Sequence, residues 1–247
     1  MSQVDQGIYV VIDGSGSMSG VKQDVVKGIN EFIKEQQDDV NGTNDVVQFS
    51  LTTFDSNILE VYVKENIELV NPVTVKDTFL GGGTALLDAV GRTLTKAQDD
   101  QAARNIVVIY TDGEENSSRE FSKDDIEKLV EDLTNTGNWQ FIYLGAEFAD
   151  FTDDAAFAAV VGSASAGSVS SANTSKQKVG TTWSNVTQTA KYHRTATPDQ
   201  YQRINSRGGL ISASTEDVGI DWDAVEDENL KLESTLKDTK EDLKPIS

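Results

Sequence analysis

Apolar and polar positions along the chain alternate between two periods. Residues 7–12, GIYVVI, are an unbroken apolar run, the pattern of a strand buried on both faces. Residues 20–36 then place Val21, Val25, Ile29, Phe32 and Ile33 at helical spacing. VVQFSLTTFD (46–55) and ILEVYVK (58–64) read as two strands joined by a tight turn at Asp55, Ser56 and Asn57, hence an antiparallel hairpin. A glycine loop, LGGGT (80–84), leads into a helix at 85–97 with Leu86, Leu87, Val90 and Leu94 inward. NIVVIYTDGEENS (105–117) repeats the opening design of an apolar strand followed by an acidic loop. Ser122 and Asp125 form a capping-box start for a helix at 123–134, with Ile126, Leu129, Val130 and Leu133 on one face and Gly137 as its stop. WQFIYLG (139–145) is a third buried strand, and an Ala- and Phe-rich helix is expected at 150–161. AGSVSSA (166–172) reads as a short edge strand. Thr174 is expected to cap a helix at 175–193, whose inner face is Val179, Trp183, Val186 and Ala190.

Strands that alternate with helices predict an α/β fold: a Rossmann-like, doubly wound, mostly parallel sheet with one antiparallel edge strand and helices on both faces. The pattern changes near residue 197. Pro198 interrupts it, Gly208 and Gly209 mark a turn, and residues 216–228 hold seven acidic residues and no basic one. Val225, Leu232, Leu236 and Leu243 make only a thin apolar stripe through the charged segment 223–243. This divides the chain into a domain at 1–197 and an acidic C-terminal extension at 198–247, partly helical or disordered. A role for the extension in docking or self-association is a second expectation.

Charge narrows the choice of partners. The formal net charge is −20 over 247 residues, and the Lys and Arg residues are scattered. Such a chain repels phosphate backbones, so nucleic acid is not an expected partner. With no cysteine, disulfides and thiolate metal sites are excluded. No apolar run reaches the ~20 residues that span a bilayer, and the N-terminal segment lacks the basic and apolar regions of a signal peptide. The expectation is a soluble cytoplasmic protein, or a virion protein if phage-encoded.

The chemistry gathers at the ends of predicted strands, where open parallel sheets bind ligands. The first loop offers Asp13, Ser15 and Ser17; the second offers Thr84 after three glycines; the third offers Asp112, with Glu114 and Glu115 behind it. All of these donors are oxygens, which select hard cations: Mg²⁺, with Mn²⁺ or Ca²⁺ as alternatives. Gly14 and Gly16 let the backbone turn tightly, and the alternate spacing lets both serine hydroxyls point the same way. One or two carboxylates do not complete the oxygen shell of Mg²⁺, so the cation calls for a further anionic oxygen from outside.

These residues carry a resemblance. Asp13-Gly14-Ser15-Gly16-Ser17 after a buried strand, Thr84 after a glycine loop, and Thr111-Asp112-Gly113 after a later strand resemble the metal-ion-dependent adhesion site of von Willebrand factor A domains. The order of the elements agrees, and the resemblance spans roughly residues 6–195. It implies direct metal contacts from Ser15, Ser17 and Thr84, with Asp13 and Asp112 often acting through water. It also implies a partner protein whose Asp or Glu completes the coordination sphere. WQFIYLGAEFAD and a Trp-bearing helix ending in KYHR are similar to stand-alone intracellular bacterial and phage members; the acidic extension is outside the shared pattern.

Three functions follow from these readings. The first is a metal-dependent protein-binding module with no catalysis. The second is a structural component of a phage or other assembly, its site filled by a neighbouring chain or by an acidic residue of the extension. The third is a metal-dependent phosphohydrolase, which is disfavoured because a nucleophile loop of the D-x-D type would need an acid where Ser15 stands, and because no phosphate-cradling P-loop is present. The remaining conspicuous residues take plainer roles. Glu114 and Glu115 read as exposed loop carboxylates, with support of the metal's ligands from behind as the alternative, His193 as a surface residue favourable to a helix dipole, Trp139 and Trp183 as core, and Trp222 as an anchor for the extension.

Overall fold

The computed structural model describes residues 3–78, 81–111, 115–146, 169–174, 179–197 and 200. The chain divides into two units, 1–215 and 216–247, and every described residue belongs to the first. Its elements run β1 (Gln6–Asp13), α1 (Lys22–Val40), β2 (Val47–Phe54), β3 (Ile58–Asn66), a short α2 (Val75–Thr78), α3 (Leu86–Ala97), β4 (Arg104–Thr111), α4 (Lys123–Thr134), β5 (Trp139–Ala146), β6 (Val169–Thr174) and α5 (Val179–Thr195). Single 3₁₀ turns occupy Ser17–Gly20 and Ile67–Leu69.

The strands form one six-stranded sheet in the order β3-β2-β1-β4-β5-β6. Every neighbouring pair is parallel except β2 and β3, which are antiparallel. The apolar run of β1 explains its central place. Ile8, Val10 and Ile12 face a core built with α1 and α5, whereas Tyr9 and Val11 face a second core built with α3 and α4. Side chains alternate across a strand, so a strand covered on both faces must be apolar at every position. The doubly wound mixed sheet is therefore as the sequence predicts.

The helices follow their stripes. Val25, Ile29, Phe32 and Ile33 are buried on α1, and Trp183, Val186 and Ala190 on α5. Ser122 Oγ accepts from Asp125 N, and the Asp125 carboxylate accepts from Ser122 N, closing the expected capping box of α4. Gly137, at φ +78°, takes the left-handed turn that ends this segment. One boundary differs from expectation. Helix α1 continues to Val40, because Gln36 is buried against α5 and sends its side-chain amide to the Thr187 carbonyl, 3.4 Å away. Thr174 is the last residue of β6, and α5 is described from Val179; the start expected for it at 175 lies outside the described residues. The helix expected at 150–161 lies outside the described residues, as does the extension apart from Gln200.

His193 corrects the sequence reading. It is fully buried rather than on the surface, and burial together with the nearby positive charge of Arg104 lowers its pKa to about 3. Next to it, the largely buried Arg194 donates to Gln6, Gln36 and Asp39, and Gln6 donates to the Ala190 carbonyl at 2.9 Å. The end of α5 is thus clamped to the start of β1 and the end of α1. Trp139 and Trp183 are core residues, as expected.

Candidate metal centre

Strand β1 ends at Asp13, between Phe54 at the end of β2 and Thr111 at the end of β4. The chain leaves β1 for β2 on one side and returns to β4 on the other. The crevice at the carboxyl ends of β1 and β4 is therefore the switch point at which doubly wound sheets take ligands.

Asp13 is fully buried, and its carboxylate is held from two directions. Ser15 N donates to Oδ1 at 2.8 Å, and Thr111 Oγ1 donates to Oδ2 at 2.8 Å. A buried carboxylate keeps its charge only where hydrogen bonds or cations replace the water it has lost. The first of these bonds also turns the chain, so that the Ser15 and Ser17 hydroxyls meet at 2.9 Å. Ser15 is buried and Ser17 exposed, which puts the hydroxyl pair at the boundary between core and solvent.

The glycine loop is fastened to this first loop. Gly81 N donates to the Gly14 carbonyl at 2.9 Å, and Gly16 N donates to the Gly82 carbonyl at 3.3 Å. Gly81 has φ +77° and Gly82 φ +159°, conformations that a side chain would oppose. Thr84, buried, follows Gly83 and stands just before Ala85, the N-cap of α3. Asp13, Ser15, Ser17 and the Thr84 loop are thus joined by hydrogen bonds at one sheet edge. Asp112, Gly113 and Glu114 lie outside the described residues; Thr111, directly before them, is in place against Asp13.

The loop after β4 gives Glu115 a role that the sequence reading did not assign. Glu115 is half-buried, not an exposed loop carboxylate. Its Oε2 accepts from Leu87 N at 3.0 Å, and its Oε1 accepts from Ser117 N and Ser118 N. The N-cap of α3 is Ala85, which has no side chain to satisfy the free amides of the first turn; Glu115 supplies that cap from another loop. Asp88 reciprocates by accepting from the backbone of Arg119, Glu120 and Phe121. An apolar stripe that begins at an uncapped Ala is the sequence signal that could have revealed an external cap.

The donor set is chemically consistent with a hard cation. Among the described residues no three His, Cys, Asp or Glu side chains gather to hold a metal. What gathers instead is hydroxyl oxygen beside one oriented carboxylate, a set that suits Mg²⁺, Ca²⁺ or Mn²⁺ and lacks soft ligands.

Comparison with known proteins agrees with this architecture. The vWF domain of the type V pili tip protein Mfa5 from Porphyromonas gingivalis matches with a TM-score of 0.58 and 10% identity, over 80% of this chain and 98% of that one. The PilB minor pilin from Streptococcus sanguinis matches with a TM-score of 0.57 and 12% identity, over 78% of this chain and 62% of that one. Proximal thread matrix protein 1 from the mussel byssus, in a structure with a zinc-occupied MIDAS motif, matches with a TM-score of 0.50 and 19% identity, over 75% and 48%. At these identities the likeness is one of fold, and the chain spans about three-fifths of PilB and half of the byssus protein. No curated protein sequence matches the chain. The family model of the von Willebrand factor type A domain matches residues 7–179, which include the β1 loop, the glycine loop and the β4 loop, and the chain therefore belongs to that family.

Proposed function

We propose that this domain is a divalent-cation-dependent protein-binding module without catalytic activity. Ser15, Ser17 and Thr84 hydroxyls would be the direct protein ligands of the cation. Asp13 and Asp112 would act through bound water and offset its charge. An Asp or Glu of a partner protein would fill the remaining position. Mg²⁺ is the favoured ion, with Mn²⁺ or Ca²⁺ as alternatives, and the zinc in the byssus protein's MIDAS motif is precedent for a divalent ion on this fold.

One observation carries this reading: the paired hydroxyls of Ser15 and Ser17, 2.9 Å apart, beside the doubly anchored buried carboxylate of Asp13 at the sheet's switch point. Hydroxyls coordinate a cation without neutralising it. The bound ion would stay positive enough to prefer an external carboxylate over water. Among the described residues no histidine stands beside the site. The chain's single histidine is buried near Arg104, at the opposite end of β4. Among the described residues no helix is long and apolar enough to cross a membrane.

The test is a Mn²⁺ titration followed by electron paramagnetic resonance, at about 0.15 M salt so that diffuse attraction to a −20 chain is screened. Wild type should bind one ion that Asp13→Asn and Ser15→Ala do not, with circular dichroism unchanged. A peptide bearing a single Glu should then bind in the presence of metal and be released by EDTA. Equal Mn²⁺ binding by all three proteins, or peptide binding that survives EDTA, would refute the proposal.

A further inference from the structure

Thr84 reaches the site on a loop that cannot hold itself. Three glycines precede it, two of them at positive φ, and no side chain of the triplet is available to pack. The order comes from outside: from Gly14 and Gly16 at the first two glycines, from Ser56 Oγ, which accepts from Gly83 N at 2.9 Å, and at Thr84 itself from Asn116. Asn116 Oδ1 accepts from Thr84 N at 2.9 Å, while Asn116 N and Ser117 N both donate to the Thr84 carbonyl, at 3.0 and 3.1 Å. Both backbone polar groups of Thr84 are therefore taken by the 116–117 dipeptide. Ser117 Oγ donates to the same Asn116 Oδ1 at 2.7 Å, which fixes the orientation of the amide. The approach is close enough to exclude a side chain at Gly83: a Cβ there would fall 2.8 Å from Asn116 Oδ1 and still nearer to Ser117 Oγ.

The dipeptide is itself immobilised on the helix that follows Thr84. Glu115 caps Leu87 N, Asp88 N donates to Ser118 Oγ at 3.0 Å, and Asp88 accepts from residues 119, 120 and 121. Phe121 lies directly over Gly91, where a Cβ would collide with its ring. Residues 84–91 and 115–121 are thus cross-linked along their length, and the second segment begins three residues after Asp112.

We propose that Asn116 is a positioning residue for the metal site: it orients Thr84 and makes the Thr84 loop move as one body with the loop that follows Asp112. The inference rests on the assignment of Thr84 as a metal ligand. Partners of this kind behind a metal ligand are worth about 10–100-fold in metal affinity. Asn116 is solvent-exposed, so its loss should fall on the site rather than on the fold.

The test compares wild type, Asn116→Leu and Asn116→Asp by Mn²⁺ affinity, by hydrogen exchange at the Thr84 amide and by thermal unfolding. Leu keeps the volume and removes the acceptor; Asp keeps the acceptor. Asn116→Leu should bind Mn²⁺ roughly 10–100-fold more weakly and lose protection at the Thr84 amide, with little change in the unfolding midpoint. Asn116→Asp should keep the protection and bind at least as tightly as wild type. Wild-type affinity in Asn116→Leu, or equal losses in Leu and Asp, would overturn the proposal. If wild type itself binds no Mn²⁺, the metal assignment fails and this inference with it; if wild type binds and Asn116→Leu binds equally, only this inference fails. Should Asn116→Leu not fold, Ser117→Ala carries the same test, with a several-fold loss expected and no loss counting against it.

Discussion

Gly28 sets two general effects against each other in a single substitution. It lies inside α1, where alanine is favoured over glycine by about 1 kcal/mol, and a newly buried methyl would add about 0.8 kcal/mol more. Propensity and burial alone therefore predict that Gly28→Ala stabilises the domain. The packing predicts the reverse. A Cβ at this position would sit 2.5 Å from Trp183 Nε1 and 2.7 Å from Cγ, and closer again to Cδ1. That is at least about 1 Å short of ordinary van der Waals separation. The indole has nowhere to retreat. It is 1% exposed, stacks on Tyr110 of β4 with ring centroids 6.3 Å apart, and meets Phe32 at 5.8 Å. Helix α1 would have to lift from α5, loosening the Gln36 and Asp39 contacts further along. Overpacking of this kind costs about 1–3 kcal/mol and occasionally more; here the rigid ring places it at the upper end. We expect a net loss of roughly 1 kcal/mol, which lowers the melting midpoint by about 2–4 °C for a domain of this size. Urea denaturation followed by tryptophan fluorescence measures it. A double-mutant cycle assigns the cause: in a Trp183→Leu background, Gly28→Ala should cost far less or become stabilising. A Gly28→Ala protein as stable as wild type, or the same cost in both backgrounds, would refute the packing argument.

Two further predictions probe stability away from the site. His193 titrates at about 3 in the folded protein, below its ordinary value of 6.5, so the unfolded chain binds the proton first on acidification. Its contribution is complete above pH 6.5 and is lost as pH falls toward 3, at about 1.4 kcal/mol per pH unit. Urea midpoints at pH 7 and 4.5 should differ less in His193→Leu than in wild type; an unchanged pH dependence would exclude His193 as the source. Ser122→Ala removes the hydroxyl that caps α4 and should cost about 1 kcal/mol in chemical denaturation, while Mn²⁺ binding stays as in wild type. A loss of metal binding there would mean that α4 and the site are coupled.

The fold was legible because its strands are covered on both faces. Continuous runs such as IYVVI and IVVIY have no amphipathic alternative, and the helices between them carry clear stripes. The ends of elements were harder to place. Helix α1 runs past the polar sequence EQQDD because one of those glutamines turns inward, a choice that depends on a helix about 150 residues later. His193 is a case in which weight given to residue type overrode spacing. Trp183, Val186, Ala190 and His193 follow each other at intervals of 3, 4 and 3, so the histidine continues the buried stripe. The three loops of the candidate site were recognisable by motif. The bonds between them were not: Thr111 to Asp13, Asn116 to Thr84 and Glu115 to Leu87 join residues 28 to 98 positions apart, and the last two end on backbone amides, which leave no mark on composition.

Strand β1 separates the two kinds of determinant. At its start, Gln6 belongs to the buried clamp with Arg194 and Ala190; at its end, Asp13 belongs to the candidate site. An eight-residue strand places these ends about 25 Å apart, far beyond the separation at which substitutions influence each other directly. Changes at the clamp should therefore alter stability and leave metal affinity intact, and changes at Ser15 or Ser17 should do the opposite. Asp13 is the exception to expect. Its carboxylate holds the Ser15 turn and receives the Thr111 hydroxyl, so its removal takes this acceptor from two buried donors. Asp13→Asn keeps an acceptor for one of them and removes the charge. A loss of metal binding in Asp13→Asn without loss of stability would then separate the electrostatic role of this residue from its architectural one.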